Sequence, residues 1–279
     1  KYKDSGIEWL GQIPQSWDLK PIKFIKDKSA NSFVDGPFGS NLKSIHFVDE
    51  GDVFVIESEF ATRGTFDETK LKQITFEHFQ SIKRSQTREG DIIIAKIGAN
   101  FGLSNILPPL SKEAVVSGNS MKLTVNKEIS FTKFIYYQLL AMKLNGAIDL
   151  LAGTTAQPAL SLSKMNSFKI ALPGFVDQQL ISAFLDYETT HIDSLIAKKK
   201  RQIELLHEKR AALISHAVTK GIDPNVPMKD SGIEWLGEIP KHWKTSHLDQ
   251  IVETFRKITY GIVQPGENDP NGSFMVRGQ

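Results

Sequence analysis

The chain has 279 residues, 40% of them hydrophobic and 24% charged, and its 34 Lys and Arg against 32 Asp and Glu give a formal net charge of +2. This composition is typical of a globular protein with one large or two small domains and excludes a mainly disordered chain. Because cysteine is absent, disulfide frameworks, thiolate zinc sites and cysteine nucleophiles are excluded. The sequence has no apolar run near the roughly 18 residues of a membrane span and no signal peptide, so we expect a cytoplasmic protein without a membrane partner.

A fifteen-residue peptide occurs twice in the chain. Residues 3–17 and 229–243 are identical at 12 of 15 positions, at an offset of 226. This offset far exceeds the roughly 20 to 50 residues of a solenoid repeat, so the repeating unit is a whole domain with its connector. The glycines and proline of the peptide predict an ordered loop or short turn. Its tryptophans, Trp9 and Trp17 with Trp235 in the second copy, are expected to be anchors, either on the peptide's own domain or on another subunit.

The segment of residues 21–172 is predicted to be β-rich with short helices. Two β-branched runs follow Gly51 and Gly90, as strands that leave turns do. The predicted strands are residues 52–57, 91–97, 115–116 and 121–125. Residues 131–144 carry apolar side chains at helical spacing and precede Gly146, which predicts a helix. The predicted fold class is therefore α+β.

Residues 177–217 contain neither Gly nor Pro and precede Gly221, which predicts one long helix of about 60 Å at roughly 1.5 Å per residue. An apolar seam follows this helix with alternating spacings of four and three residues. The apolar seam residues are Ile181, Leu185, Ile192, Leu195, Leu206 and Leu213, with polar residues at the intervening seam positions. A seam of this kind is typical of a coiled-coil-like helix that needs a partner helix.

Few residue patterns point to catalysis. The sequence lacks a phosphate-binding loop, a dinucleotide-binding glycine turn, an amino-methyltransferase motif and a His-Glu-x-x-His metal motif. We therefore predict no catalytic residue, no metal site and no cofactor. The enzymatic alternative is a free-standing metal-dependent nuclease, in which Asp52 and Glu68 hold Mg²⁺ and Lys70 activates water. A second alternative is a coiled-coil scaffold with no role on DNA.

Basic residues favour a nucleic-acid interface in the β-rich segment. Residues 21–172 contain 18 Lys and Arg and 15 Asp and Glu, a balance of 18 − 15 = +3. Lys and Arg neutralise phosphates, whereas Arg, Asn and Gln also pair with base edges in the major groove. Grouping and proximity to Gly-, Asn- or Ser-containing loops select the candidate residues Lys43, Arg63, Lys83, Arg84, Arg88, Lys96, Asn100 and Lys122.

These features together resemble the specificity subunits of type I restriction-modification enzymes. The repeated peptide is similar to the opening of each half of such a subunit. Further similar stretches follow in order at residues 35–40, 89–98, 153–157, 172–173, 178–186 and 203–219. The resemblance covers essentially the whole chain, and it adds Thr154 and Gln157 to the DNA-binding candidates.

The resemblance implies a subunit without chemistry of its own. Two target-recognition domains, held apart by antiparallel helices, each read half of a split double-stranded DNA target. The subunit docks methyltransferase subunits, and a motor-nuclease subunit completes an enzyme that restricts DNA and methylates adenine. The implied division is a linker at 1–20, a first recognition domain at 21–172, a spacer helix at 173–221, a second linker at 222–243 and the start of a second domain at 244–279. A complete member would carry a second full domain and helix, so we expect a truncated chain that forms a homodimer through the long helix.

Overall fold

The computed structural model describes residues 1–64, 66–152 and 158–252, in two compact units, Lys1–Asp193 and Ser194–Gln279. Among these residues, no helix is long and apolar enough to cross a membrane. The predicted Thr154 and Gln157, and most of the predicted second domain, lie outside the described residues. The domain boundaries proposed from the sequence therefore stay a prediction.

The first unit contains twelve of the described strands and most of the described helices. Its strands are β1 Tyr2–Asp4, β2 Gln12–Pro14, β3 Asp18–Pro21, β4 Phe33–Asp35, β5 Val53–Ile56, β6 Lys72–Ile74, β7 Gln86–Thr87, β8 Ile92–Ala95, β9 Ser104–Ile106, β10 Glu113–Val116, β11 Ser120–Leu123 and β12 Lys169–Leu172. Its helices are α1 Ser58–Arg63, α2 Phe76–Ser81, α3 Thr132–Leu144 and α4 Leu162–Ser167, together with the first part of α5 Phe175–Lys220. The second unit contains the rest of α5, strands β13 Met228–Asp230 and β14 Glu238–Pro240, and helix α6 Leu248–Ile251.

Two four-stranded sheets form the centre of the first unit. One has the strand order β6-β5-β10-β7, in which β5 and β10 are parallel and the other pairs antiparallel. The other sheet has the order β4-β11-β8-β9 and is antiparallel throughout. Strand β12 pairs with β3 outside both sheets. The α+β fold class predicted from the sequence is confirmed.

Side-chain alternation explains why the central strands are continuously apolar. On β8, Ile92 and Ile94 enter the core beside α3 and α4, whereas Ile93 and Ala95 enter a second core shared with β5 and α1. On β5, Val53 and Val55 face a third cluster beside α2. Successive side chains of a strand point to opposite faces, so a strand covered on both faces needs apolar residues at every position.

The repeated peptide forms the same structure in each unit, a loop closed by two short strands. Strand β1 pairs with β2, and β13 pairs with β14, in equivalent antiparallel register. Gly6 donates its N–H to Asp4 Oδ1 at 2.9 Å, and Gly232 donates to Asp230 Oδ1 at 3.0 Å. The predicted ordered loop is confirmed, and the strand pair that closes it is an addition from the structure.

Helix α5 extends the predicted helix by a few residues at each end, to 46 residues or about 69 Å at roughly 1.5 Å per residue. Its first turns contain the buried residues Gln178 and Ser182, whereas every residue from 191 to 216 is exposed. Gly221 follows with a φ of 83°, the left-handed conformation that commonly ends a helix.

Candidate nucleic-acid interface

Lys83 and Arg84 are held outward by a short 3-10 turn at Lys83–Ser85. The residues on either side, Ile82 and Ser85, are buried, and Ser85 Oγ donates to the backbone oxygen of Asp35 on β4 at 3.1 Å. The buried residues on either side fix the turn, and the side chains of Lys83 and Arg84 between them are exposed to solvent. The turn thus presents two adjacent positive charges to solvent.

These two residues share a pocket of about 330 Å³ with basic residues that are distant in sequence. The lining residues are Ala30, Asn31, Lys83, Arg84, Gln86, Arg88 and Lys122. Four of the seven are cationic and none is acidic. Such a lining favours an anion.

A larger cavity of about 510 Å³ adjoins this pocket and shares Ala30, Arg88 and Lys122 with it. Its lining also includes carboxylates, and one of its cations, Lys28, pairs with Glu128 at 3.2 Å. The charges of the larger cavity are thus partly compensated within it. The smaller pocket is the more strongly cationic of the two.

Lys122 lies on β11 and is only 5% exposed. Its Nζ lies 3.2 Å from Thr124 Oγ1 and 3.5 Å from Asp91 Oδ2. Asp91 is itself held by Thr87 Oγ1 and by the backbone N–H of Arg88, each at 3.0 Å. Burial lowers the pKa of Lys122, the negative charge of Asp91 opposes that effect, and the positive charge of Arg88 adds to it. Lys122 is therefore an interior cation with a compensating carboxylate.

Lys96, a candidate because it lies near the loop that contains Gly98 and Asn100, is also buried, at 7% exposure. It directly follows β8, whose residues are buried on both faces, and its Nζ lies 3.0 Å from Asp35 Oδ2. The ammonium also lies 4.5 Å from the ring centroid of Phe38. The ammonium of Lys96 therefore contacts the interior and the loop that follows β4.

The other described DNA-binding candidates, Lys43, Arg63 and Asn100, are exposed but do not line the basic pocket. Arg63 pairs with Glu59 one helical turn away, so part of its charge is compensated. Asn100 lies in a tight turn in which its backbone oxygen accepts from the N–H of Leu103. The structure thus brings together Lys83, Arg84, Arg88 and Lys122, and leaves the other three as separate surface positions.

The residues of the nuclease alternative make local structural contacts. Asp52 Oδ2 accepts the backbone N–H of Phe76 at 3.1 Å, at the start of α2. Glu68 accepts from the backbone and hydroxyl of Ser111, and Lys70 pairs with Asp67 at 3.1 Å. Within the described part of the chain, no group of three or more His, Asp or Glu could hold a metal ion. These contacts favour structural roles for the three residues.

The predicted docking residues differ in exposure. On α5, Ile181 packs against the core and Leu185 is half-buried, whereas Ile192, Leu195, Leu206 and Leu213 are exposed. Trp9 stacks on Phe168 with ring centroids 6.1 Å apart. Its counterpart in the second copy of the peptide, Trp235, is 82% exposed. Trp9 thus anchors the first peptide to its own unit, whereas Trp235 presents an aromatic surface.

Sequence reasoning missed the polar residues that attach α5 to the first unit. Gln178 bonds three backbone groups, and Asp186 accepts from Lys133 Nζ at 2.6 Å and from Tyr137 Oη at 2.7 Å. Their signal in the sequence is faint, since a glutamine and an aspartate in a polar helix look like solvated residues. Only their partners distinguish them, and all of these except Pro173 lie about 50 positions earlier in the chain.

The profile of the type I restriction modification DNA specificity domain matches residues 40–205, more than half of the chain. The chain therefore belongs to this family. It is 26% identical over 276 residues to the type I restriction enzyme MjaIX specificity subunit of Methanocaldococcus jannaschii, covering 94% of this chain and 55% of that relative. It is also 26% identical over 171 residues to the EcoBI specificity subunit of Escherichia coli, covering 60% of this chain and 36% of that relative.

The fold is similar to that of a chain in a solved type I R-M system, with a TM-score of 0.59 at 15% identity. That similarity covers 79% of this chain and 49% of the solved one. The matches thus cover from 36% to 55% of the length of these three proteins. The resemblance inferred from the repeated peptide and the long helix is confirmed at the level of the family.

Proposed function

We propose that this chain recognises DNA as a specificity subunit of a type I restriction-modification system. The family match over residues 40–205 carries the proposal, and the acid-free basic pocket supports it. Grouped cations attract the phosphate backbone even when the net charge of the chain is only +2. The chain supplies no catalytic residue in this proposal, and partner subunits perform DNA cleavage and adenine methylation.

Residues 21–172 are the recognition domain in this proposal and read one half of a split target. Residues 173–221 are the spacer, with linkers at 1–20 and 222–243, and a second domain begins at 244. The proposed DNA contacts are Lys43, Arg63, Lys83, Arg84, Arg88, Asn100, Lys122, Thr154 and Gln157. The ammonium of Lys96 is paired with Asp35, so Lys96 is proposed to affect DNA binding only indirectly, through the loop after β4 that it contacts.

Methyltransferase subunits are the proposed partners of the exposed part of α5 and of Trp235, and a motor-nuclease subunit joins in the full complex. The exposed apolar side chains on this helix support a partner, because such a surface is costly to leave in water. Large aromatic side chains such as Trp235 are frequent energetic centres of protein interfaces.

The test is selection of DNA from a random duplex pool by the chain mixed with type I methyltransferase subunits. The expected result is enrichment of two short sequence blocks separated by a fixed gap, one block for the recognition domain of each of two copies of the chain. Methyltransferase subunits alone and the chain alone are the controls, and we expect neither to enrich the paired blocks. A mixture that binds DNA but selects no recurring sequence would contradict the proposed function.

A second copy of the chain is the other proposed partner of α5. Association through the apolar seam predicts that Leu206→Glu with Leu213→Glu reduces the dimer fraction in sedimentation equilibrium, because two charges would be buried in the seam. At 3.6 residues per turn, Ala211 and Ser215 lie on the opposite side of the helix, so Ala211→Glu with Ser215→Glu is the matched control. A native chain that stays monomeric at high concentration would contradict this arrangement.

A further inference from the structure

The pocket of about 330 Å³ is lined by four cations, of which only Lys122 is paired with a described carboxylate, that of Asp91. Among the described residues, the side chains of Lys83, Arg84 and Arg88 form no ion pair, although eight other lysines and two other arginines do. These three side chains converge on one cavity with Lys122. Like charges gathered in one place repel each other, and an anion in the cavity would relieve that repulsion.

Lys122 contributes a buried donor to the pocket. Its ammonium carries three N–H groups, and the described structure gives it two acceptors, Thr124 Oγ1 and Asp91 Oδ2. One N–H is therefore left for an acceptor in the cavity that Lys122 lines. Burial is the main cause that lowers the pKa of Lys122, and repulsion from the neighbouring guanidinium of Arg88 adds to it. A bound anion would offset that repulsion.

The shape of the pocket selects which part of DNA fits it. Phosphate groups project from the outside of the duplex, whereas base edges are recessed in the grooves and are reached by side chains that project into them. A concave pocket therefore accepts a phosphate more readily than a base edge. The fork of an arginine also matches two phosphate oxygens, and two arginines line this pocket.

We propose that this pocket binds one phosphate of the DNA backbone and positions the duplex on the recognition domain without reading its sequence. The inference rests on the proposed DNA-recognition function and deepens it by assigning a chemical role to one group of residues. The exposed Lys83, Arg84 and Arg88 provide positive charge, and the buried Lys122 provides a hydrogen-bond donor. Sequence reading is then the task of other surface positions, such as Asn100.

The experiment measures binding of the full chain to a fluorescent random-sequence duplex over a series of salt concentrations. The variant is Lys83→Ala with Arg84→Ala and Arg88→Ala, all exposed side chains. Loss of one phosphate contact should make the negative slope of log K against log salt shallower by about 0.9. It should also weaken binding on the order of tenfold at low salt. Single Arg84→Ala, which removes no described contact, should show a smaller change in the same direction.

The matched control is Lys198→Ala with Lys199→Ala and Lys200→Ala on α5, which removes the same charge from an exposed surface. We expect this control to keep the native salt slope. A pocket variant with the native slope, or a control with the same loss as the pocket variant, would overturn the inference.

A comparison of affinities for target and random duplexes tests this inference separately from the proposed function. With methyltransferase subunits present, the pocket variant should lose affinity for target and random duplexes by the same factor, so their ratio is unchanged. A variant in which the ratio of target affinity to random-duplex affinity falls would show that the pocket reads bases and would overturn the phosphate assignment. If the native mixture has no target preference while the salt slope still depends on the pocket, the proposed function fails and the phosphate site stands.

Discussion

The amide of Gln178 attaches the start of α5 to the rest of the first unit, and its loss should be costly. The side chain is fully buried. Its Oε1 accepts the N–H of Phe131 at 2.8 Å, and its Nε2 donates to the backbone oxygens of Pro173 at 2.9 Å and Ile129 at 3.1 Å. One side chain thus satisfies three backbone groups around the base of the helix.

Gln178→Leu keeps a similar volume but removes all three hydrogen bonds. Each contributes about 1 kcal/mol net, and a buried partner left without water access costs about 1 to 3 kcal/mol. We expect a loss of about 3 kcal/mol in the free energy of unfolding, since some of the three groups will find water. For a unit of this size, that loss corresponds to a fall in the melting temperature of about 6 to 12 °C.

The assay is urea unfolding followed by tryptophan fluorescence, because Trp9 and Trp17 contact Phe168 and Phe134 in the same unit. Gln179 is the neighbouring exposed glutamine, so Gln179→Leu is the control and should change stability by no more than about 0.5 kcal/mol. Equal effects of the two substitutions, or a loss below about 1 kcal/mol for Gln178→Leu, would refute this reasoning.

Two further predictions concern charged pairs in the first unit. Lys96→Met should cost about 3 to 5 kcal/mol in chemical denaturation, because it leaves Asp35 buried without its cation, and Lys96→Met with Asp35→Leu should recover most of that loss. A double variant no more stable than the single one would contradict this. Burial opposes ionisation of Asp186, but hydrogen bonds from Lys133 and Tyr137 outweigh it and lower the pKa. Asp186→Asn should therefore cost about 0.5 to 1 kcal/mol at pH 7, a difference that is fully present above the unfolded pKa of about 3.9 and fades as pH falls through the lower folded value. Urea unfolding at pH 7 and pH 3 tests this, and an equal difference at both would contradict it.

The elements with strong local patterns were predictable from the sequence. The β-branched runs that became β5 and β8, the helical spacing that became α3 and the uninterrupted stretch that became α5 each reflect a short-range rule of side-chain alternation or helix spacing. The repeated peptide likewise indicated a repeated loop, since near-identical sequences form near-identical turns. Each of these features depends on residues that are close together in the sequence, so the sequence alone predicts it.

The candidate site was only partly predictable. The sequence grouped Lys83, Arg84 and Arg88 because they lie close together in the chain, and it added Lys122 only as a basic residue near a loop. The burial of Lys96 beside Asp35 had no local signal, because the carboxylate that makes a buried ammonium tolerable comes from β4, 61 residues earlier in the chain.

By itself, the sequence determined the family, the α+β fold class, the long helix and the basic character of residues 21–172. Tertiary structure decided which of the basic residues meet and which are interior. Strand β11 carries Lys122 to the pocket formed by the turn at residues 83–85 and the loop at Asn31, although these positions are up to 91 residues apart. Long-range packing sets the distance between such charges, and their distance and burial decide whether they bind an anion or pair with a carboxylate.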